Sequence, residues 1–146
     1  MRVLFVLLCS VAVAVAAPVP KVKAKRFTLD GTWEATSMTS SGRDILPEHP
    51  NVWVIAGDTL VRNHREGNGT LRPHDSSVEM KVNPDRPGEM DLVFTAGGRT
   101  GLFRTVFEVT ADELTILLPH QDDPRPKELK EGAGIYLYKF KRVSVK

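Results

Sequence analysis

The sequence predicts an all-β fold in which eight antiparallel strands form an up-and-down meander that closes into a barrel. Three observations predict it. Apolar residues alternate with polar ones at period two, as Val78, Met80 and Val82 do around Glu79 and Lys81. Clusters of Gly, Pro, Asn and Asp separate these runs. No stretch of ten or more residues has the apolar 3.6-residue period of an amphipathic helix.

The first four strands are predicted at 31–40, 51–56, 58–64 and 70–82. The first begins at Gly31-Thr32-Trp33, and the turn residues Ala56-Gly57-Asp58 separate the second from the third. The sequence Glu66-Gly67-Asn68-Gly69 precedes the fourth strand. Because this fourth strand is long, a break near His74 is expected.

The last four strands are predicted at 89–95, 100–109, 113–118 and 135–143. Turn sequences at 83–88, 96–98 and 110–112 separate the first three of them. Short connections favour antiparallel pairing of sequential neighbours, and a meander of eight strands can remove both edges by closing. Two polar loops, 40–50 and 119–134, are longer than tight turns, and we expect them to gate one mouth of the barrel.

Residues 1–16 have the pattern of a cleavable signal peptide. They carry one positive charge at Arg2, then an apolar run and the small-residue exit Ala14-Val15-Ala16. The alternative is a membrane anchor, which needs about 20 apolar residues, but the run stops at Pro18. We therefore expect export, to the periplasm or out of the cell.

Cleavage would leave 130 residues without cysteine, because Cys9 is the only cysteine of the chain. Residues 17–26 are predicted to form a flexible basic arm, and residues 27–146 one barrel domain. The mature chain can therefore form no disulfide and use no catalytic thiol. It is also too short for most two-domain cofactor enzymes.

The segment Gly31-Thr32-Trp33 resembles the G-x-W motif of the lipocalins. That resemblance implies that the tryptophan closes one end of the barrel and that a basic residue from the last strand packs across it. Arg142 fits that role because it shares a face with Tyr138 and Phe140 by period two. Gly31, Trp33 and Arg142 are therefore predicted to form a barrel-end plug.

From 29 to 142 the chain is similar to a lipocalin-like domain of uncharacterised exported proteins from planctomycete-type bacteria. The segments that carry the similarity are Asp30–Glu34, Val54–Leu60, Val82–Leu92, Asp112–Ile116, Pro124–Leu129 and Tyr138–Arg142. Two departures are the missing cysteine in 113–118 and Phe103-Arg104-Thr105 in place of a commoner Gly-Ile-Tyr. The resemblance implies a fold and an export route, and it implies no particular activity.

Apolar residues of the predicted strands supply the barrel interior, which in an eight-stranded barrel holds its own side chains or one small ligand. The inward set is Trp33, Ala35, Val54, Val78, Met80, Val82, Leu92, Phe94, Phe103, Phe107, Leu114, Ile116, Tyr138 and Phe140. Eight of these are predicted to contact a ligand: Val54, Met80, Phe94, Phe103, Phe107, Ile116, Tyr138 and Phe140. The alternative is that the same side chains form a solid core.

Catalytic and metal-binding patterns are weak. The four histidines, His49, His64, His74 and His120, lie in or beside polar turns, and we expect them to be solvated. The sequence has no H-E-x-x-H, G-x-S-x-G or P-loop motif. We therefore expect no metal, no cofactor and no enzymatic activity, with a hydrolase as a distant alternative.

Basic residues cluster in the arm and in the last strand. A surface for single-stranded nucleic acid needs aromatic residues between the charges, but Phe27 is the only one near the arm, and export argues against such a partner. We expect a monomer without a nucleic-acid partner or a membrane span. The first functional hypothesis is an exported module that binds a small apolar or amphipathic molecule. The alternative is a solid-core domain that contacts an envelope protein or surface through its loops, with Lys127, Lys130 and Asp122-Asp123 as the charges to test.

Overall fold

Ten β-strands make up the regular structure of residues 28–48 and 50–144, the parts of the chain that the computed structural model describes. The strands are β1 (Gly31–Ser40), β2 (Arg43–Asp44), β3 (Asn51–Ala56), β4 (Thr59–Arg65), β5 (Leu71–Pro73), β6 (Ser77–Val82), β7 (Glu89–Ala96), β8 (Arg99–Val109), β9 (Glu113–Leu118) and β10 (Tyr136–Val143). The predicted signal peptide and basic arm lie outside the described residues, as does His49.

Eight of these strands close into an antiparallel barrel, which confirms the predicted fold class. The hydrogen-bonded order is β10-β9-β8-β7-β6-β4-β3-β1, and β1 pairs again with β10 along almost its whole length. Closure removes the free edges that an open sheet of this length would expose. A bulge between Ala35 and Ser37 lets β1 bend while it pairs with β10.

The predicted strand 70–82 is divided into β5 and β6. Pro73 ends β5, since it has no N–H to donate to the ladder. The backbone N–H of His74 then donates to Arg62 O at 2.9 Å, after which β6 pairs with the other end of β4. β5 and β6 therefore pair with different parts of the same strand.

The first long loop contains a two-residue strand that the sequence analysis missed. Ser41 and Gly42 both have positive φ, 51° and 74°. Two successive residues of positive φ make the tight turn that suits the twist of a β-hairpin. β2 consequently pairs back onto the end of β1, with Ser40 opposite Arg43.

One apolar cluster fills the centre of the barrel with side chains from all eight strands. Its buried members are Trp33, Ala35, Trp53, Ile55, Leu60, Val78, Met80, Met90, Leu92, Phe107, Leu114, Ile116, Tyr138 and Phe140. The rings of Trp53 and Phe140 contact each other at a centroid distance of 4.7 Å. The middle of the barrel is therefore packed with side chains, and a pocket lies at each of its two ends.

Candidate functional site

Arg142 packs over Trp33 at the end of the barrel where β1 begins. Its Cζ lies 4.1 Å from the indole centroid, and Trp33 is fully buried. The guanidinium also donates hydrogen bonds to the carbonyl oxygens of Thr28, Asp30 and Ala111, at 2.9, 2.5 and 2.7 Å. We call this the plug end, because one arginine ties the N-terminal segment, the β8–β9 turn and the last strand together.

Gly31 is required at the plug end for two reasons. Its φ is +138°, a backbone conformation that residues with a side chain rarely adopt. A Cβ there would also collide with Nη1 of Arg142. Trp33 is held from the other side, where its Nε1–H donates to Leu29 O at 2.7 Å.

A groove of about 550 Å³ lies on the outer side of the plug end. Met80, Val82 and Phe107 line it together with the β6–β7 turn, and it adjoins Thr28, where the described part of the chain begins. None of the described buried polar atoms that lack a hydrogen bond belongs to a residue lining this groove. Its polar side chains Thr28, Asp30 and Asn83 each accept a hydrogen bond from the backbone, so we do not choose it as the functional site.

The opposite end of the barrel holds a smaller pocket of about 310 Å³, which we call the mouth pocket. Apolar and aromatic side chains form its wall: Trp53, Phe94, Phe103, Leu118 and Tyr138. The rings of Phe94 and Phe103 meet edge to face with centroids 4.9 Å apart, an arrangement that aromatic pairs prefer. Thr100, Gly101, Gln121, Asn51 and Ser76 complete the rim.

Two arginines and no carboxylate line the mouth pocket. Arg62 projects from β4 across the ring of Phe94, with its Cζ 5.2 Å from the ring centroid. Burial lowers the pKa of Arg62 from its usual value, and the neighbouring Tyr138 partly opposes that shift. Arg62 still carries its charge at neutral pH, because a guanidinium does not lose its proton in proteins.

Tyr138 remains a neutral hydroxyl beside this charge. Burial raises its pKa above the usual 10, although Arg62 acts in the opposite direction. The pocket therefore presents a guanidinium and a phenol, both of which can donate hydrogen bonds.

Four buried side-chain polar atoms among the described residues have no hydrogen-bond partner, and they cluster at this end. They are Trp53 Nε1, Arg62 Nε, Ser76 Oγ and His74 Nε2. The first three belong to residues that line the mouth pocket. Native proteins satisfy nearly all buried polar atoms, so a group of orphaned ones calls for an explanation.

The rim of the mouth pocket is held by the loop that joins β9 to β10. The side chain of Gln121 crosses the backbone of Gly101, where a Cβ would lie 2.6 Å from the Gln121 Cδ. The N–H of Asp122 donates to Leu102 O at 2.8 Å. The two long loops also meet, since the N–H of Gly42 donates to Glu131 Oε1 at 3.0 Å.

The structure distributes the predicted ligand contacts over four places. Phe94, Phe103 and Tyr138 line the mouth pocket. Ile116 and Phe140 lie in the solid centre, where they are 0% and 1% exposed.

The other predicted contacts lie away from the mouth. Met80 and Phe107 border the groove at the plug end, as does Val82, which is 43% exposed. The sequence analysis assigned Val54 to the inward face of its strand, which is wrong. Val54 is opposite Thr32 and Val61, and Val61 is exposed on the outer surface. Trp53, its neighbour in β3, points inward instead.

Sequence reasoning missed Trp53 and Arg62 as site residues. The signal that could have found them is the hairpin turn at Gly57 and Asp58, which places Ala56 opposite Thr59. Directly opposite residues share a face of the sheet, so an inward Leu60 implies an inward Arg62 and, across from it, an inward Trp53.

Two of the histidines are less solvated than the sequence suggested. His64 belongs to β4, and its ring meets that of His74 edge to face at 5.3 Å between centroids. Burial is the largest cause that lowers the pKa of His74, followed by the charge of Arg62 and by His64, whereas Asp75 raises it. No group of three or more His, Cys, Asp or Glu residues within 28–48 and 50–144 is arranged to hold a metal ion.

Comparison of the chain with protein-family models, with curated proteins and with solved structures finds no match. In the described part of the chain, no helix is long and apolar enough to cross a membrane.

Proposed function

We propose that this chain is an exported binding module that holds a small amphipathic molecule in the mouth pocket of a lipocalin-like barrel. The observation that carries the proposal is the combination of an aromatic wall with buried side-chain donors that lack partners. Ligand sites are typically apolar concavities with a few placed polar groups. The mouth pocket has that composition.

The dimensions of the pocket argue for a small ligand. Its volume of about 310 Å³ is at the lower end of the usual range of roughly 300–1,000 Å³ for ligand sites. Trp53, Tyr138 and Phe140 pack against one another and form a floor, so a long chain cannot continue into the barrel. The ligand that fits has one short chain or one ring.

The two tryptophans provide the test of this proposal. In an ¹⁵N–¹H correlation spectrum, 3-phenylpropan-1-ol and 3-phenylpropanoate should shift the indole N–H signal of Trp53. The Trp33 signal should shift less, because that N–H already donates to Leu29 O and Trp33 does not line the mouth pocket. If neither compound shifts Trp53 at millimolar concentration, binding in the mouth pocket is disproved.

A pair of size-increasing variants locates the site. Ser76→Phe places a ring in the mouth pocket and should abolish the Trp53 shift. Val61→Phe adds a ring on the outer surface, where Val61 is 44% exposed, and should leave the shift unchanged. Equal effects of both variants would contradict the location.

The packed centre favours a second candidate, a domain that contacts an envelope protein or surface through its loops. Lys127 and Lys130 are exposed on a loop that Arg125 fixes to the barrel wall. Charge reversal at Lys127 and Lys130, or at the exposed pair Asp122 and Asp123, should then weaken capture of the partner. Unchanged capture by all of these variants would remove this candidate.

A further inference from the structure

Arg62, one of the two arginines that line the mouth pocket, has no counter-ion within the described parts of the protein. The six ion pairs formed by these residues involve Arg65, Arg72, Lys81, Arg86 and Arg125, and none involves Arg62. The only charge interaction that raises its pKa comes from the phenol of Tyr138. A buried charge is costly unless an opposite charge or hydrogen bonds compensate it.

The unpartnered atoms around this charge are donors. Trp53 Nε1 and Arg62 Nε carry hydrogens and have no lone pair to offer, and the hydroxyl of Ser76 can rotate to donate. Trp53 and Arg62 are directly opposite each other on β3 and β4, so their donors converge on one region. The group that would satisfy them is an acceptor, and the charge of Arg62 selects an anionic one.

From this arrangement we propose that the mouth pocket recognises the anionic head group of a small organic acid, with Arg62 as its counter-ion. The proposal rests on the proposed function and specifies its ligand class. Arg62 can bind a carboxylate or sulfonate with two parallel N–H···O bonds, and Trp53 Nε1 and Ser76 Oγ can donate to the remaining lone pairs. The apolar part of the ligand would then lie against Phe94 and Phe103.

The affinity difference between a charged probe and a neutral one tests the role of Arg62. Hydrogen bonds between charged groups are stronger than those to a neutral group. We therefore expect 3-phenylpropanoate to bind roughly ten- to a hundredfold more tightly than 3-phenylpropan-1-ol. Titration of the Trp53 indole signal measures both dissociation constants. Equal affinities would overturn the anionic ligand and leave the proposed function intact, whereas no binding of either compound would disprove both.

Arg62→Met should remove this preference while the alcohol keeps its affinity within about threefold. The matched control is Arg72→Met, since Arg72 lies on the adjoining β5, is 68% exposed and does not line the pocket. This variant should keep the preference for the acid. Loss of the preference in Arg72→Met, or its survival in Arg62→Met, would contradict the assignment.

Stability without any ligand gives an independent readout. If Arg62 is a half-buried charge without a partner, Arg62→Met should unfold at a higher urea concentration than the wild-type protein. A lower midpoint would mean that Arg62 has a partner within the full chain, and it would overturn the proposal whatever the probes do.

Discussion

Trp33 and Trp53 lie directly opposite each other on β1 and β3, and each is also opposite an arginine on its other neighbouring strand. The resulting row, Arg142-Trp33-Trp53-Arg62, crosses four adjacent strands of the barrel. Arg142 donates to three carbonyl oxygens and covers its tryptophan, whereas Arg62 and the Trp53 indole have buried N–H groups without partners. The same pair of residue types closes one end of the barrel and leaves unpartnered buried donors at the other.

Trp33→Ala should lower the free energy of unfolding by about 3–5 kcal/mol, the usual cost of truncating a buried tryptophan. The side chain is fully buried beneath Arg142 and donates a hydrogen bond to Leu29 O. Urea denaturation followed by circular dichroism measures the loss. Val61→Ala on the outer surface is the control and should change stability by no more than about 0.5 kcal/mol. A Trp33→Ala protein as stable as this control would show that the plug does not hold the barrel end.

Gly31→Ala should destabilise the protein by more than Gly97→Ala. Both glycines have positive φ, +138° and +56°, so both substitutions incur backbone strain. Only at position 31 would the new Cβ also collide with Arg142, because Gly97 has no atom within 4 Å of that position. Strain of about 1–3 kcal/mol is expected at 31 before the collision is added. Equal urea midpoints for the two variants would contradict the close approach of Arg142.

The meander could be predicted from the sequence because its strands have one polar face and its turns carry residues suited to positive φ. The contact between Arg142 and Trp33 could be predicted from two signals. Gly31-Thr32-Trp33 resembles the lipocalin motif, and period-two spacing places Arg142 on the same face as Tyr138 and Phe140. The phase of β3 could not be predicted from alternation, because Val52 to Ile55 is apolar on both faces and four successive apolar residues fit either orientation.

The candidate site was harder to predict than the fold for a related reason. An arginine within a strand is ordinarily read as a surface residue, and only the register of the β3–β4 hairpin turns Arg62 inward. The orphaned atoms of Trp53 and Ser76 depend on packing between distant strands, which no local pattern encodes. The site therefore follows from pairing register, whereas the fold follows from local periodicity.

Arg125→Ala should release the loop 119–134 from the barrel wall. Its guanidinium donates to the carbonyl oxygens of Met90 and Thr105 and pairs with Asp91 and Glu89, at 2.5 and 3.2 Å. Hydrogen bonds from a charged group contribute about 1.5–3 kcal/mol each, so amide hydrogen exchange in this loop should accelerate about tenfold or more.

Arg86→Ala is the matched control for this loop. Arg86 also pairs with Glu89, at 3.7 Å, but it is 73% exposed, and exposed pairs contribute about 0–1 kcal/mol. Exchange in the loop should stay within about threefold of the wild-type rate. If Arg125→Ala exchanged no faster than this control, Arg125 would not anchor the loop.

Stability should fall as the pH drops below about 6.5, and His74 should account for part of that loss. Burial, Arg62 and His64 lower the pKa of His74 in the folded protein, whereas Asp75 raises it. The unfolded chain, with a histidine pKa of about 6.5, therefore binds more protons than the folded one between the two pKa values. The stabilising contribution is complete above the unfolded pKa and is lost as the pH falls from about 6.5 through the folded pKa. Urea midpoints at pH 7.5 and 5.5 should differ less in His74→Gln than in the wild-type protein. An unchanged pH dependence in His74→Gln would show that the pKa of His74 is not lowered in the folded protein.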